Sequence, residues 1–304
     1  MNKLTSMHDA ISNGVSDGDS LYLAGFTHLI PFAAGHEIIR QEKRDLELIR
    51  ATPDLIYDQM IAAGCARKAT FSWAGNPGVG SLPAFRRAAE DGVPRELELE
   101  EYTHFGLIAA LDAGASNLPF APLRGFIGSD LPEHNDNIAR IESPFGDDYV
   151  YAVAPIQPDV AVIRAQRADT AGNAHLWGIQ GEVKIAGLAA DTVILSVEEI
   201  CSEETIRSDP NRTVITTDDV DHVVHDPYGS HPSYAQGYYG RDNEAYIEWA
   251  EIASDVDRVE AWLDEWVYGV DNRREYIEKL DTDRLLDLQP DHSYATPIDM
   301  GAYR

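Results

Sequence analysis

The sequence predicts an α/β protein with a mostly parallel sheet flanked by helices and a C-terminal helical segment. Three observations carry this. Period-2 and period-3.6 hydrophobic segments alternate from the N-terminus to about residue 116, the pattern of a βαβ series with right-handed crossovers. Strand candidates run into Gly- or Pro-containing turns before the next helix. The run "DTVILSVEEI" (191–200) is apolar almost throughout, as expected of a strand covered on both faces. With 304 residues, 44% of them hydrophobic, the chain can bury a full core as one domain, 1–304. No internal repeat, low-complexity tract or linker divides it.

The elements follow in order. "LTSMHDAISNGV" reads as a helix closed by Gly14, and "SLYLAGF" as a strand ending at Gly25. "PFAAGHEIIRQ" is a helix with Pro31 near its first turn, "DLELIRA" a strand, "PDLIYDQMIAAG" a helix and "KATFSWA" a strand. "LPAFRRAAEDG", "ELELEEY" and "HFGLIAALDAGAS" continue the alternation as helix, strand and helix. After about residue 118, "LPFAPLRGFIGSDLPEHNDN" has no clean period and is expected to wander over the strand ends. "PDVAVIRAQRADTAGNAHLWG" offers a strand, a turn at "TAGN" and a short return strand, a β-hairpin. From "DNEAYIEWAEIASDVDRVEAWLDEWVYG" onward the chain is helical, and its Trp249, Trp262 and Trp266 read as core or as intersubunit contact.

Charge narrows the function. The formal net charge is −28, from 52 Asp and Glu against 24 Lys and Arg, a balance that repels nucleic acid and anionic membrane. The acid is spread through every segment, and only five of the basic residues are lysines (Lys3, Lys43, Lys68, Lys184 and Lys279). This reads as adaptation to high salt, where screening over a few Å makes self-repulsion tolerable. Cys65 and Cys201 form neither a disulfide framework nor a CxxC site and read as small buried hydrophobes. The start "MNKLTSMHDAISNG" has no apolar leader and no stretch is long enough to span a membrane, so a cytoplasmic location is expected.

In a parallel sheet, ligands bind outside the carboxyl ends of the strands. Two loops fall there: "GFTHLIP" (25–31), with Thr27 and His28, and "SWAGNPGVGS" (72–81), with Ser72, Asn76, Gly78, Val79 and Gly80. The glycines of the second loop permit close backbone approach to a ligand, and its N–H groups precede a helix. That suits a phosphate, a carboxylate or a thioester oxyanion. The loop lacks the Lys of a Walker A motif and the spacing of GxGxxG. Its structural alternative is a tight strand-to-helix turn.

"GFTHLIPFAAGHEIIRQ" and "FSWAGNPGVGSLPAFRRAAEDG" resemble the α (A) subunit of class I CoA-transferases of the glutaconate CoA-transferase type. The resemblance continues in order through "YTHFGLIAALDAGASNLPFAPLRGFIGSDL", "ADTAGNAHLWG" and "DPYGSHPSYAQGYYGRDNEAY". It implies the class I CoA-transferase fold and a partner, the homologous β subunit, in a hetero-oligomer such as α2β2. It also implies the reaction, transfer of CoA between an acyl-CoA and a free carboxylic acid through a glutamyl thioester carried on the β chain. Coenzyme A is then a substrate, and no cofactor or metal is expected.

On that reading no catalytic nucleophile is needed here. None is visible: there is no GxSxG elbow, neither cysteine has an evident base, and Glu98, Glu100 and Glu101 read as a solvated strand face and its end. The chain would contribute held donors: backbone N–H groups of Gly78, Val79 and Gly80, side chains of Ser72 and Asn76, and Thr27 and His28 on the facing wall. His28 has the alternative of capping the following helix. Ser230 and His231 in "YGSHPS" are a further candidate lip. Arg86 and Arg87 could serve a dicarboxylate, but they diverge by about 100° on a helix and read as exposed.

Two alternatives to the transferase remain. A related branch of the family opens a ring in a CoA-bound steroid fragment, using a glutamate of its α-type chain just before the helix matching "FGLIAALDAG". Thr103 or His104 stands at that position here, so no catalytic glutamate carries over. A role as a non-catalytic acyl-CoA-binding or scaffold subunit gains from the missing nucleophile, which the missing partner explains better. Metal chemistry at His222, His225 and Asp226 is disfavoured, since residues at i and i+3 of a strand face opposite ways.

Overall fold

The structure, a computed structural model, describes residues 2–290. Its first half alternates as expected. β1 (Leu4–Thr5), α1 (Met7–Gly14), β2 (Ser20–Leu23), α2 (Phe32–Arg40), β3 (Leu46–Ile49) and α3 (Leu55–Ala62) lead to β4 (Ala66–Phe71), α4 (Pro83–Asp91), β5 (Glu98–Glu101) and α5 (His104–Ala115). The expected first helix begins late: Leu4 and Thr5 pair as a strand with Val223 and Val224, and Ser6 caps α1, its Oγ accepting from Asp9 N at 3.0 Å. Pro83 at the first turn and Gly92 at φ 68° bracket α4, a start and a stop that both residues favour.

The segment expected to wander builds a layer of its own. β6 (Ala121–Leu123), α6 (Leu131–His134), β7 (Ile138–Glu142) and β8 (Tyr149–Val153) form a three-stranded antiparallel sheet in the order β6-β8-β7. Its strands span three to five residues between Pro- and Gly-bearing turns, too short to show a period. Leu123 and Val153 of this layer pack on Leu107 and Ala110 of α5.

β9 (Val160–Ala168) and β10 (Ala174–His175) make the hairpin expected at "TAGN". Asp169 Oδ1 holds the turn by accepting from the backbone N–H of Ala171, Gly172 and Asn173 at 2.9–3.1 Å. Then come α7 (Val183–Ala189), β11 (Thr192–Ile200), α8 (Glu203–Arg207), β12 (Thr213–Ile215) and β13 (His222–His225). The large sheet runs β1-β13-β11-β9-β2-β3-β4-β5, parallel throughout this path, with β10 and β12 paired off it. β11 lies inside the sheet, buried from Val193 to Glu198.

α9 (Asn243–Ile252), α10 (Val256–Leu263), α11 (Arg273–Glu278) and α12 (Thr282–Asp287) form the helical segment. Its tryptophans pack within the chain, Trp249 fully and Trp262 and Trp266 in part. Trp249 lies in the same core as Ile38, Ile56, Met60 and Phe85, Trp262 meets it edge-on at 5.0 Å, and Trp266 meets Tyr276 at 5.4 Å. Trp249 Nε1 donates to Asp58 Oδ2 at 2.8 Å, and Phe85 N donates to Asp58 Oδ1 at 2.6 Å, so one carboxylate fastens α3, α4 and α9 together. Burial pushes the Asp58 carboxyl up to about 6 against those hydrogen bonds. No described helix is long and apolar enough to cross a membrane. Cys65 is buried, while Cys201 is only partly so.

Candidate active site at the strand ends

The order of strand addition reverses between β2 and β9, which pair in parallel while β3, β4 and β5 follow on one side and β11, β13 and β1 lie on the other. A ligand crevice is expected outside such a reversal. Here protein fills it. His28 is fully buried, its Nδ1 donating to Ile179 O at 2.7 Å and its Nε2 accepting from Gln236 N at 3.1 Å. Those partners assign the neutral tautomer and leave no ring nitrogen for a ligand. Burial pushes the imidazole down to about 4. His28 thus neither lines a wall nor caps α2, which has no side-chain cap. Thr27 and Leu29 beside it take positive φ (56° and 52°), held by Ser233 Oγ donating to Thr27 O at 2.8 Å and Leu29 N to Tyr234 O at 2.9 Å.

The loop 72–81 divides into two halves. Its far half turns under the C-terminal helices. Val79 is buried in the core with its N–H on Asn76 O (3.2 Å), Gly80 would bring a Cβ within 3.2 Å of Tyr246 O, and Arg241 Nη1 donates to Pro77 O at 2.7 Å. The N–H of Val79 therefore stays within the turn. Gly78 and Gly80 have φ of 83° and 64°, so glycine is required there by the turn itself. Asn76 is buried, donates through Nδ2 to Ser81 O at 3.3 Å, and keeps an Oδ1 with no partner among the described residues.

The near half faces the ends of β2, β3 and β4 and the start of α5. Ser72 Oγ donates to Ala51 O at 2.6 Å and lies 2.9 Å from His104 Nδ1. A carbonyl only accepts, so the serine hydrogen is committed to Ala51 and His104 must be the donor to Ser72. Ser72 thus lacks the free proton expected of it. The His104 ring meets Phe26 edge-on at 6.3 Å, and Gly181 would bring a Cβ within 2.8 Å of Phe26 Cβ. Beneath lies Arg50, 1% exposed, donating through Nη2 to Gly25 O and through Nη1 to Asp54 Oδ1 at 3.2 Å. Burial raises the Asp54 carboxyl and Arg50 opposes it. Trp73 (48% exposed) and Phe105 (66%) flank this cluster in sequence, and Ile179 (43%) lies on the His28-bound segment. Sequence reasoning missed Phe26, Arg50 and His104 as a group. The available signals were an arginine ending an apolar strand and a histidine opening a helix at a strand end.

Comparison with known proteins then decides the family. Residues 4–226 match the family described as Coenzyme A transferase. The chain is 51% identical over 280 residues to the A-type subunit of the 3-oxoadipate CoA-transferase of Pseudomonas knackmussii, covering 92% of this chain and 99% of that one. The chain belongs to the coenzyme A transferase family. Glutaconate CoA-transferase of Acidaminococcus fermentans superposes with a TM-score of 0.91 at 32% identity, covering 98% and 99% of the two chains. The AibA/AibB decarboxylase follows at a TM-score of 0.72 and 27% identity, covering 87% of this chain and 100% of that one.

Within this CoA-transferase fold the other candidates have structural work. Glu100 is not a solvated face residue: Lys68 Nζ, Tyr102 Oη and Asn137 Nδ2 donate to it, and they hold its carboxyl low despite burial. Glu98 and Glu101 are exposed. His231 is no pocket lip, being buried with Nε2 2.8 Å from Asp242 Oδ2, and Ser230 is buried beside it. Arg86 is exposed and pairs with Glu90, whereas Arg87 Nη1 donates to Ala253 O at 2.7 Å. Asp226 contacts the buried Arg164 rather than converging with His222 and His225, and no potential metal cluster occurs among the described residues.

Proposed function

We propose that this chain is the α half of a two-subunit CoA-transferase that moves CoA from an acyl-CoA to a 3-oxo dicarboxylic acid. The single observation that carries the substrate class is the 51% identity, over nearly the whole of both chains, to the A-type subunit of a 3-oxoadipate CoA-transferase. The thioester-forming glutamate is assigned to the partner, in an α2β2 or similar assembly in a salt-rich cytoplasm. The partner covers the rim of Trp73, Phe105 and Ile179, whose exposure in the isolated chain is large for such side chains. Behind that rim, Ser72 remains this chain's contribution to the acyl pocket, while Asn76 and Gly78 belong to the turn under α9. Ring-opening hydrolysis is disfavoured because Thr103 Oγ1 caps α5 by accepting from Gly106 N at 3.0 Å and no acid stands in its place.

The test is reconstitution. The isolated chain should be inactive, and the chain with its β-type partner should transfer CoA from one of a panel of acyl-CoA donors to 3-oxoadipate. Turnover by the isolated chain, or a reconstituted complex that only hydrolyses acyl-CoA, would refute this assignment.

A further inference from the structure

We propose that His104 is the specificity-determining residue for the spectator carboxylate of a dicarboxylic substrate, with Ser72 positioning its ring. This rests on the strand-end cluster being this chain's part of the acyl site. The wiring is directional: Ser72 O–H donates to Ala51 O at 2.6 Å, and His104 Nδ1–H donates to Ser72 Oγ across 2.9 Å. Ser72 therefore offers Nδ1 only an acceptor, so Nδ1 carries a hydrogen and Nε2 is the ring nitrogen that faces a ligand. Nε2 is left without a protein partner in the hydrogen bonds formed among the described residues, on an exposed side chain whose ring is braced edge-on by Phe26.

The ligand chemistry follows from what surrounds this nitrogen. The chain carries a net charge of −28, so an anionic substrate approaches against a repulsive field and needs a local cation. Arg50 and Arg241 are buried, their guanidinium groups turned to Gly25 O and Asp54, and to Pro77 O. His104 is the basic group of this cluster with an exposed face. A carboxylate bound there with a proton taken up on Nε2 accepts a charge-assisted hydrogen bond from that nitrogen. That contact suits the carboxylate that keeps its charge throughout, because the reacting carboxylate loses its charge on acylation.

The experiment uses the reconstituted two-subunit enzyme and compares kcat/KM for 3-oxoadipate and for 3-oxohexanoate, which lacks the second carboxylate. Asn places an amide where Nδ1 was but has nothing at Nε2, while Gln reaches the Nε2 position and loses the Ser72 contact. His104→Asn should therefore lower the preference for the dicarboxylic acid about tenfold, through KM rather than kcat, and His104→Gln should restore part of it. Ser72→Ala should shift the preference the same way but less. Tautomer-sensitive 15N NMR of the isolated chain should show neutral His104 protonated at Nδ1. An unchanged preference in His104→Asn, an equal loss for both acids, or an Nε2–H tautomer would overturn the inference. A wild-type complex that transfers no CoA to either acid would instead overturn the functional assignment beneath it.

Discussion

Lowering the pH from 7 to 5 should weaken the fold through His28, by an amount the structure allows to be worked out. Its folded pKa of about 4 lies below the ordinary 6.5, so the stability tied to the neutral ring is full above 6.5 and is lost as pH falls toward 4. Linkage over this interval makes the loss about 2 kcal/mol for His28. His36, pushed down to about 3 chiefly by burial, adds a similar loss of about 2 kcal/mol. Asp58 acts the other way. Its carboxyl sits at about 6 when folded, so its protonation returns about 1 kcal/mol as the pH drops. Between these three groups the histidines win, a net loss of roughly 2 to 3 kcal/mol from pH 7 to pH 5. The decisive comparison is His28→Asn, which keeps a donor for Ile179 O but cannot titrate. It will be less stable at both pH values, and its pH 7-to-5 loss should be smaller than wild type's by about 2 kcal/mol. Urea unfolding followed by tryptophan fluorescence, at constant molar salt, measures both differences. Equal pH dependence in variant and wild type would refute the account of His28 as a neutral, doubly bonded strut.

Three further outcomes follow from single contacts and from charge. Gly114→Ala would place a Cβ 2.0 Å from Ile156 O, a backbone atom that cannot swing away, so the contact of α5 with the 154–157 linker should be lost at a cost of about 3 kcal/mol or more, read as a lower urea midpoint. Trp249→Phe removes the indole donor to buried Asp58 and should cost about 2 to 3 kcal/mol, whereas Trp249→Phe combined with Asp58→Asn should cost less than the sum of the two single changes. The complex with the partner should hold together at 2 M salt and weaken near 0.01 M, where the screening length grows to about 30 Å and the −28 charge repels itself; light scattering across a salt series checks this, and equal stability at both ends would separate the acidic surface from assembly.

Much of the sheet was legible in the sequence because each βα unit carries its own period, and period is a local property. β6, β7 and β8 were not, since strands of three to five residues between Pro- and Gly-rich turns pair through contacts that no single window contains. The glycine loop was found as a loop, yet its parts serve different ends. Gly78 and Gly80 satisfy a left-handed turn under α9, while Ser72 alone reaches the strand-end cluster. Glu100 looked solvated because alternation assigns it a face without saying what covers that face, and Lys68 and Asn137 arrive there from elsewhere in the chain.

By itself the sequence determined the fold class and the family, since these depend on periodicity and on ordered motifs. Only the tertiary structure decided which polar side chains are available for chemistry. A histidine in the strand-end loop and a histidine opening α5 look equally eligible in one dimension. In the folded chain His28 has both nitrogens bonded to backbone groups of distant segments, Ile179 and Gln236, whereas His104 uses one nitrogen on Ser72 and stays exposed. Hydrogen-bond partners more than thirty residues away set that difference, and no local pattern encodes it.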